Sequence, residues 1–116
     1  MTKREQLYDQ LEALEERYQT LVIAELESCI AGGQAPYLGA KLHPGYSDGE
    51  GRTNWTDTAE ELVKLELRIS ASRRSLGESL ADSPVYLIDA YIVDLRGTSG
   101  AVLDAVKAKA LRDQLG

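Results

Sequence analysis

Seven apolar residues set the terms for this chain. Leu7, Leu11, Leu14, Tyr18, Val22, Leu26 and Cys29 follow one another at intervals of four, three, four, four, four and three, which puts all seven on one side of an α-helix. A helix from Glu5 to Ala31 would be about 40 Å long at about 1.5 Å per residue. A compact globule of this chain length has a diameter of about 35 Å. The spacing therefore predicts a rod, within residues 1–31, that either projects from its own domain or is packed by a second subunit. The stripe averages about 3.67 residues per turn, which suits a nearly straight helix better than the repeat of about 3.5 in a left-handed coiled coil. Leu7, Leu11, Leu14, Tyr18 and Leu21 fit heptads, but the run Leu21-Val22-Ile23 then widens the apolar face beyond a coiled-coil seam. Gly32-Gly33 closes the helix.

Residues 32–56 gather six of the ten glycines and two of the three prolines, with the turn pairs Pro44-Gly45 and Asp48-Gly49. The expectation there is a long glycine-rich loop or a ragged β-hairpin. A second helix is expected over 57–81. Asp57 with Glu60, or Thr58 with Glu61, supplies a reciprocal cap, and Glu60 with Lys64 an i,i+4 pair. Leu62, Leu65, Ile69 and Leu76 mark its inner face, with Ser72 at the missing step. Arg73 and Arg74 suit the negative end of a helix stopping near Leu76-Gly77, with continuation to Ala81 left open. Residues 84–96 start at Ser83-Pro84 and stop at Gly97, which is helix punctuation. Val85–Ile88 and Tyr91–Val93 also have high strand propensity, so helix and strand both stay open. A last helix is expected over 100–115. The chain reads as a single mainly α domain, about four helices with an excursion between the first two.

With 43% hydrophobic and 28% charged residues, the composition is that of a soluble globular domain. No apolar run approaches the ~18 residues of a membrane span, and the N-terminal residues lack the apolar core of a signal peptide. Cys29 is the one cysteine and falls on the apolar stripe, as a reduced core residue of a cytoplasmic protein would. A net charge of −6 speaks against direct nucleic-acid binding, which needs a basic surface. The charge is unevenly spread. Residues 1–31 hold seven acids against Lys3, Arg4 and Arg17, whereas residues 100–116 hold Lys107, Lys109 and Arg112 against Asp104 and Asp113.

Candidate chemistry centres on His43, the one histidine. With Asp48 and Glu50 it could form a metal site or an acid–base group, but no second histidine or cysteine completes a transition-metal shell. Asp48, Glu50, Arg52 and Asn54 alternate as in a calcium loop, yet Arg52 stands where an oxygen ligand belongs and Ala59 where the closing glutamate belongs. No lysine followed by Ser or Thr closes the glycine cluster into a phosphate loop, and no serine sits in a nucleophile elbow. The chain is read as non-enzymatic and without cofactor or metal, a small enzyme or metal site around His43 being the alternative.

Two surfaces read as contact surfaces instead. The loop mixes Tyr37, Tyr46 and Trp55 with Lys41, His43, Asp48, Glu50 and Arg52, the composition of a protein–protein patch; Trp55 also suits a packing anchor ahead of the second helix. On the first helix, Leu7, Leu11, Leu14 and Tyr18 would self-associate, while the like-charge pair Glu12 and Glu16 would be answered by Lys107, Lys109 and Arg112 in the same molecule or the next. A head-to-tail contact of that kind builds rings.

From Leu21 to Ile69 the layout also carries a family resemblance. A long amphipathic helix ends at Gly33-Gln34, Tyr37 and Gly39 follow, and after the loop Gly51-Arg52 leads into the capped helix Thr56-Asp57-Thr58-Ala59-Glu60-Glu61-Leu62. This resembles the helix–hairpin–helix of the gpW-like head-completion and head–tail connector proteins of tailed phages. The resemblance implies a non-enzymatic ring subunit of the virion neck, with the 37–55 loop facing the portal or tail and the helix flanks touching neighbouring subunits. The function expected is thus a structural or adaptor subunit that self-associates and docks on a larger protein assembly. The alternative is an acidic module that inhibits a nucleic-acid enzyme by presenting Glu12, Glu15 and Glu16 in place of phosphates.

Overall fold

A computed structural model describes residues 2–42, 55–96 and 103–115. The described chain is mainly helical, in the order α1 (Lys3–Ile30), α2 (Pro36–Lys41), α3 (Asp57–Leu76), a single 3-10 turn (Leu80–Asp82), α4 (Pro84–Arg96) and α5 (Ala105–Leu115), and contains no strand among the described residues.

Helix α1 starts where the Thr2 hydroxyl accepts the Glu5 N–H at 3.1 Å. It gives way at Gly32, whose φ of +93° lies in the left-handed region that glycine enters without strain. At 28 residues it is about 42 Å long, and the molecule is drawn out along it to 48 × 30 × 25 Å. This corrects the expected mismatch between rod and domain. Helix α3 lies antiparallel to α1, with Glu61 on Arg17 at one end and the Leu76 carbonyl accepting from Arg4 at the other. Helix α5 is also antiparallel, over the C-terminal half only. There Cys29 Sγ meets the Leu103 carbonyl, Arg112 pairs with Glu27 at 3.2 Å, and Gln19 Nε2 donates to the Leu115 carbonyl at 2.7 Å.

As a result Leu11, Tyr18, Val22, Leu26 and Cys29 are buried by the chain's own helices, and Leu7 and Leu14 are partly covered. An elongated domain can wrap a rod that a sphere of equal volume could not. The stripe is mostly core, and a second subunit is not needed to shelter it.

Local chemistry explains the remaining boundaries. Thr56, rather than Asp57 or Thr58, caps α3 by accepting the Ala59 N–H, and Gly77 at φ +72° ends the helix at Leu76, short of 81. The step assigned to Ser72 is filled by Arg73, which is buried. The 84–96 segment is a helix: Ser83 Oγ accepts the Tyr86 N–H at 3.2 Å, and Val85, Ile88, Ile92 and Leu95 point inward at helical spacing. The last helix begins at Ala105 rather than 100, because the Asp104 carboxylate accepts the Lys107 N–H at 2.9 Å and acts as its cap.

The excursion between α1 and α3 differs from expectation in its first part. Residues 36–41 are a helical turn and a half instead of loop or strand; residues 43–54, on which the hairpin expectation falls, lie outside the described residues. Ala35 offers α2 no side-chain cap, so the cap comes from α1. Glu25 Oε1 accepts the Tyr37 N–H at 3.1 Å and Oε2 the Leu38 N–H at 3.2 Å. Removal from water outweighs those two hydrogen bonds and pushes the Glu25 carboxyl up to about 7.

Candidate binding groove

Two carboxylate-rich regions flank the core. The first is built around α2. Tyr37 is fully buried, its ring edge-on to Tyr18 at 6.2 Å. The Tyr37 hydroxyl donates to Glu66 at 2.8 Å and meets the Tyr18 hydroxyl at 2.9 Å. Because the Tyr37 proton is committed to Glu66, Tyr18 is the donor in that second bond. Burial, first of all, pushes the Tyr37 phenol far above its ordinary range. Lys41 Nζ lies 2.7 Å from both Glu66 and Asp89, and 5.1 Å from the centre of the Tyr37 ring. Tyr37 and Lys41 were expected in a partner-facing loop; both are interior and tie α2 to α1, α3 and α4. This is a correction. Their neighbourhood in sequence is glycine-rich, but the Pro36 start and the Glu25 cap turn it into helix.

The second region is an open groove of about 550 Å³ along the N-terminal half of α1. One wall is α1, from Tyr8 to Gln19; the other is the start of α4, with Pro84 and Leu87, together with Glu78 and Asp82 from the connection before it. Six carboxylates line it: Asp9, Glu12, Glu15, Glu16, Glu78 and Asp82. The floor is fixed by the buried Arg73, which grips Glu15 through two bonds of 2.9 and 3.0 Å and donates to the carbonyls of Ser79 at 2.8 Å and Asp82 at 3.4 Å. At the outer end the Tyr8 hydroxyl donates to Glu78, and that bond, above all, holds the Tyr8 phenol above its usual range. The guanidinium of Arg4 stacks over the Tyr8 ring at 5.4 Å.

Helix periodicity explains why a groove exists. Asp9, Glu12, Glu16, Gln19, Ile23, Glu27 and Ile30 recur every three or four residues and so form one lane along α1. Helix α5 fills the lane from Ile30 back to Gln19 and stops there, with Leu115 on Gln19. From Gln19 on to Asp9 no helix lies in the lane among the described residues. Its unfilled length, from Asp9 to Gln19, is about 15 Å. Glu15 is answered by Arg73, and among the described residues Asp9, Glu12 and Glu16 are exposed and enter no salt bridge. The opposite wall adds an apolar patch to its own carboxylates: Leu87, beside Pro84, is 58% exposed. Among the described residues no group of three or more His, Cys, Asp or Glu side chains could hold a metal ion, so the lane's carboxylates are spread along it rather than gathered on a point.

The residues singled out from sequence are thus dispersed. Glu12 and Glu16 line the groove, Glu15 being turned inward onto Arg73. Leu7, Leu11, Leu14 and Tyr18 belong to the core or its margin, a correction to their assignment as a self-association face. Arg112 answers Glu27 in the same chain, Lys109 sits with Val106 beside Ile30, and Lys107 lies near Tyr91, whose hydroxyl donates to its carbonyl. None of the three reaches Glu12 or Glu16 within the molecule. Trp55 packs against the core. His43, Tyr46, Asp48, Glu50 and Arg52 lie outside the described residues. Arg73, Glu78, Asp82 and Leu87 were not anticipated. Only Arg73 left a signal in the sequence, an arginine at a core step of an otherwise apolar helical face.

Comparison with family models, with curated proteins and with solved structures gives no match. The groove's own chemistry is therefore what a functional reading has to rest on.

Proposed function

We propose that this chain is a non-enzymatic structural adaptor that receives a helix of another protein chain in the groove beside α1, and so holds a place in a larger assembly. The observation that carries the reading is the half-filled lane. Helix α5 already lies in its other half, so the space is shaped for a helix, and its chemistry specifies which kind. Asp9, Glu12 and Glu16 call for Lys or Arg, and Leu87 with Pro84 calls for an apolar side chain between them. No acid–base pair or nucleophile with its base is needed for this role. A collar of subunits of the gpW-like connector kind, in a virion, is one assembly in which such an adaptor would serve.

Calorimetric titration with a synthetic helical peptide, carrying Lys or Arg at i and i+4 around a leucine, tests the reading. Binding should be saturable, should weaken in salt, and should be lost in a Glu12→Lys, Glu16→Lys double variant. It should survive Lys109→Glu on α5. Absence of binding, or binding indifferent to the α1 changes, would overturn the proposal.

A further inference from the structure

The outer face of α3 is the complement of the groove. Helix α3 turns Leu62, Leu65, Ile69, Arg73 and Leu76 inward, which sends Lys64, Leu67, Arg68, Ala71 and Arg74 to the opposite side. Leu67 is 55% exposed, an apolar side chain standing among three cations. Lys64, Arg68 and Arg74 are exposed and enter no salt bridge among the described residues. Glu60 precedes them on the same face, so the basic character starts at Lys64. From Lys64 to Arg74 is about 15 Å along the helix, the length of the unfilled lane from Asp9 to Gln19.

We infer that the helix received by the groove is α3 of a second copy of this chain, with Leu67 against Leu87 and the cations on that face, Lys64, Arg68 and Arg74, turned toward Asp9, Glu12 and Glu16. The inference rests on the adaptor reading above and names its partner. Charge, length and the central leucine all agree, whereas α5, the basic helix expected from sequence, has Arg112 spent on Glu27. Groove and α3 face are different surfaces of one molecule, so the contact is head-to-tail and propagates until it closes a ring or runs on as a filament. A single helix laid in a lane of this length buries far less than the ~800 Å² per partner of a standard interface. Each contact is accordingly weak, salt-sensitive and dependent on concentration.

Sedimentation velocity on the whole chain over a concentration series decides the matter. In low salt the mean mass should climb with concentration, and in about 1 M salt, where screening acts within about 3 Å, it should fall back to the monomer. A groove variant (Glu12→Lys with Glu16→Lys) and an α3 variant (Lys64→Glu with Arg68→Glu) should each stay monomeric. Mixed together they should assemble again, because each reversed surface meets its reversed partner. Circular dichroism checks that both fold. Where a reversal costs the fold, Glu12→Gln and Arg68→Gln replace it and should each weaken assembly about tenfold. A wild-type chain that remains monomeric in low salt overturns the inference, as does assembly by either variant alone or failure of the mixture. If the helical peptide still binds the groove of such a monomer, self-pairing fails and the adaptor reading stands. If the peptide fails too, both fall.

Discussion

The α2 cluster and the α1 groove are both rich in carboxylates, and they treat them in opposite ways. Around α2 each acid has an answer inside the chain: Glu66 takes Lys41 and the Tyr37 hydroxyl, Asp89 takes Lys41, and Glu25 takes two backbone N–H groups. In the groove only Glu15 is matched by an arginine, and Asp9, Glu12 and Glu16 face solvent in a row. Buried charges must be compensated or they unfold the protein. Exposed rows of one sign contribute nothing to the fold, cost a few tenths of a kcal/mol as i,i+4 repulsions, and gain from a partner. The contrast ties the α2 cluster to stability and makes the groove the place where the proposed partner would be answered.

The most severe way to break the contrast is at Lys41. Lys41→Met leaves the half-buried Glu66 without its cation, and urea unfolding should show a loss of about 3–5 kcal/mol, with peptide binding retained by whatever remains folded. Next comes Glu25. Its folded-state carboxyl titrates near 7, above its ordinary 4.5, so the native chain holds the extra proton between those values. Stability should be greatest below about pH 4.5 for this group and should decline as pH rises to about 7, by on the order of 3 kcal/mol. Glu25→Gln should erase that part of the slope when urea midpoints are compared at intervals from pH 5 to pH 8. A smaller effect is expected of Tyr37→Phe, which takes a donor from Glu66 and an acceptor from Tyr18 and should cost about 1–3 kcal/mol. Smallest of all is Glu12→Gln, which should leave the unfolding free energy from urea titration within about 0.5 kcal/mol of wild type while weakening peptide binding. A Glu12 variant that loses as much stability as Lys41→Met would erase the distinction between the two regions.

The helices were legible where their pattern is local. The stripe from Leu7 to Cys29, Gly32 and Gly77 as stops, and Ser83-Pro84 as a start all depend on neighbours within a turn or two. Tyr37 and Lys41 were misread because the residues that enclose them, Tyr18, Glu25, Glu66 and Asp89, are distant in sequence. Without those partners a tyrosine and a lysine beside glycines look like a contact loop. The cover on α1 was missed for a related reason: a spherical estimate of size ignores that α3 and α5 can both lie along a rod. Glu12 and Glu16 were legible as an acidic face, but the groove was not, since its second wall is Leu87, more than seventy residues away. Its existence also depends on where α5 lies, and the Asp104 cap that sets the start of α5 is one side chain accepting one backbone N–H.

The central claim is that the vacant half of the α1 lane takes a helix, and backbone chemical-shift mapping during titration with the lysine–leucine peptide tests it most directly. Shifts should trace Asp9, Glu12, Glu16 and the start of α4 at Leu87, should saturate together, and should collapse in high salt. Shifts scattered over α2 and α5, or a spectrum that does not move at all, would contradict the account.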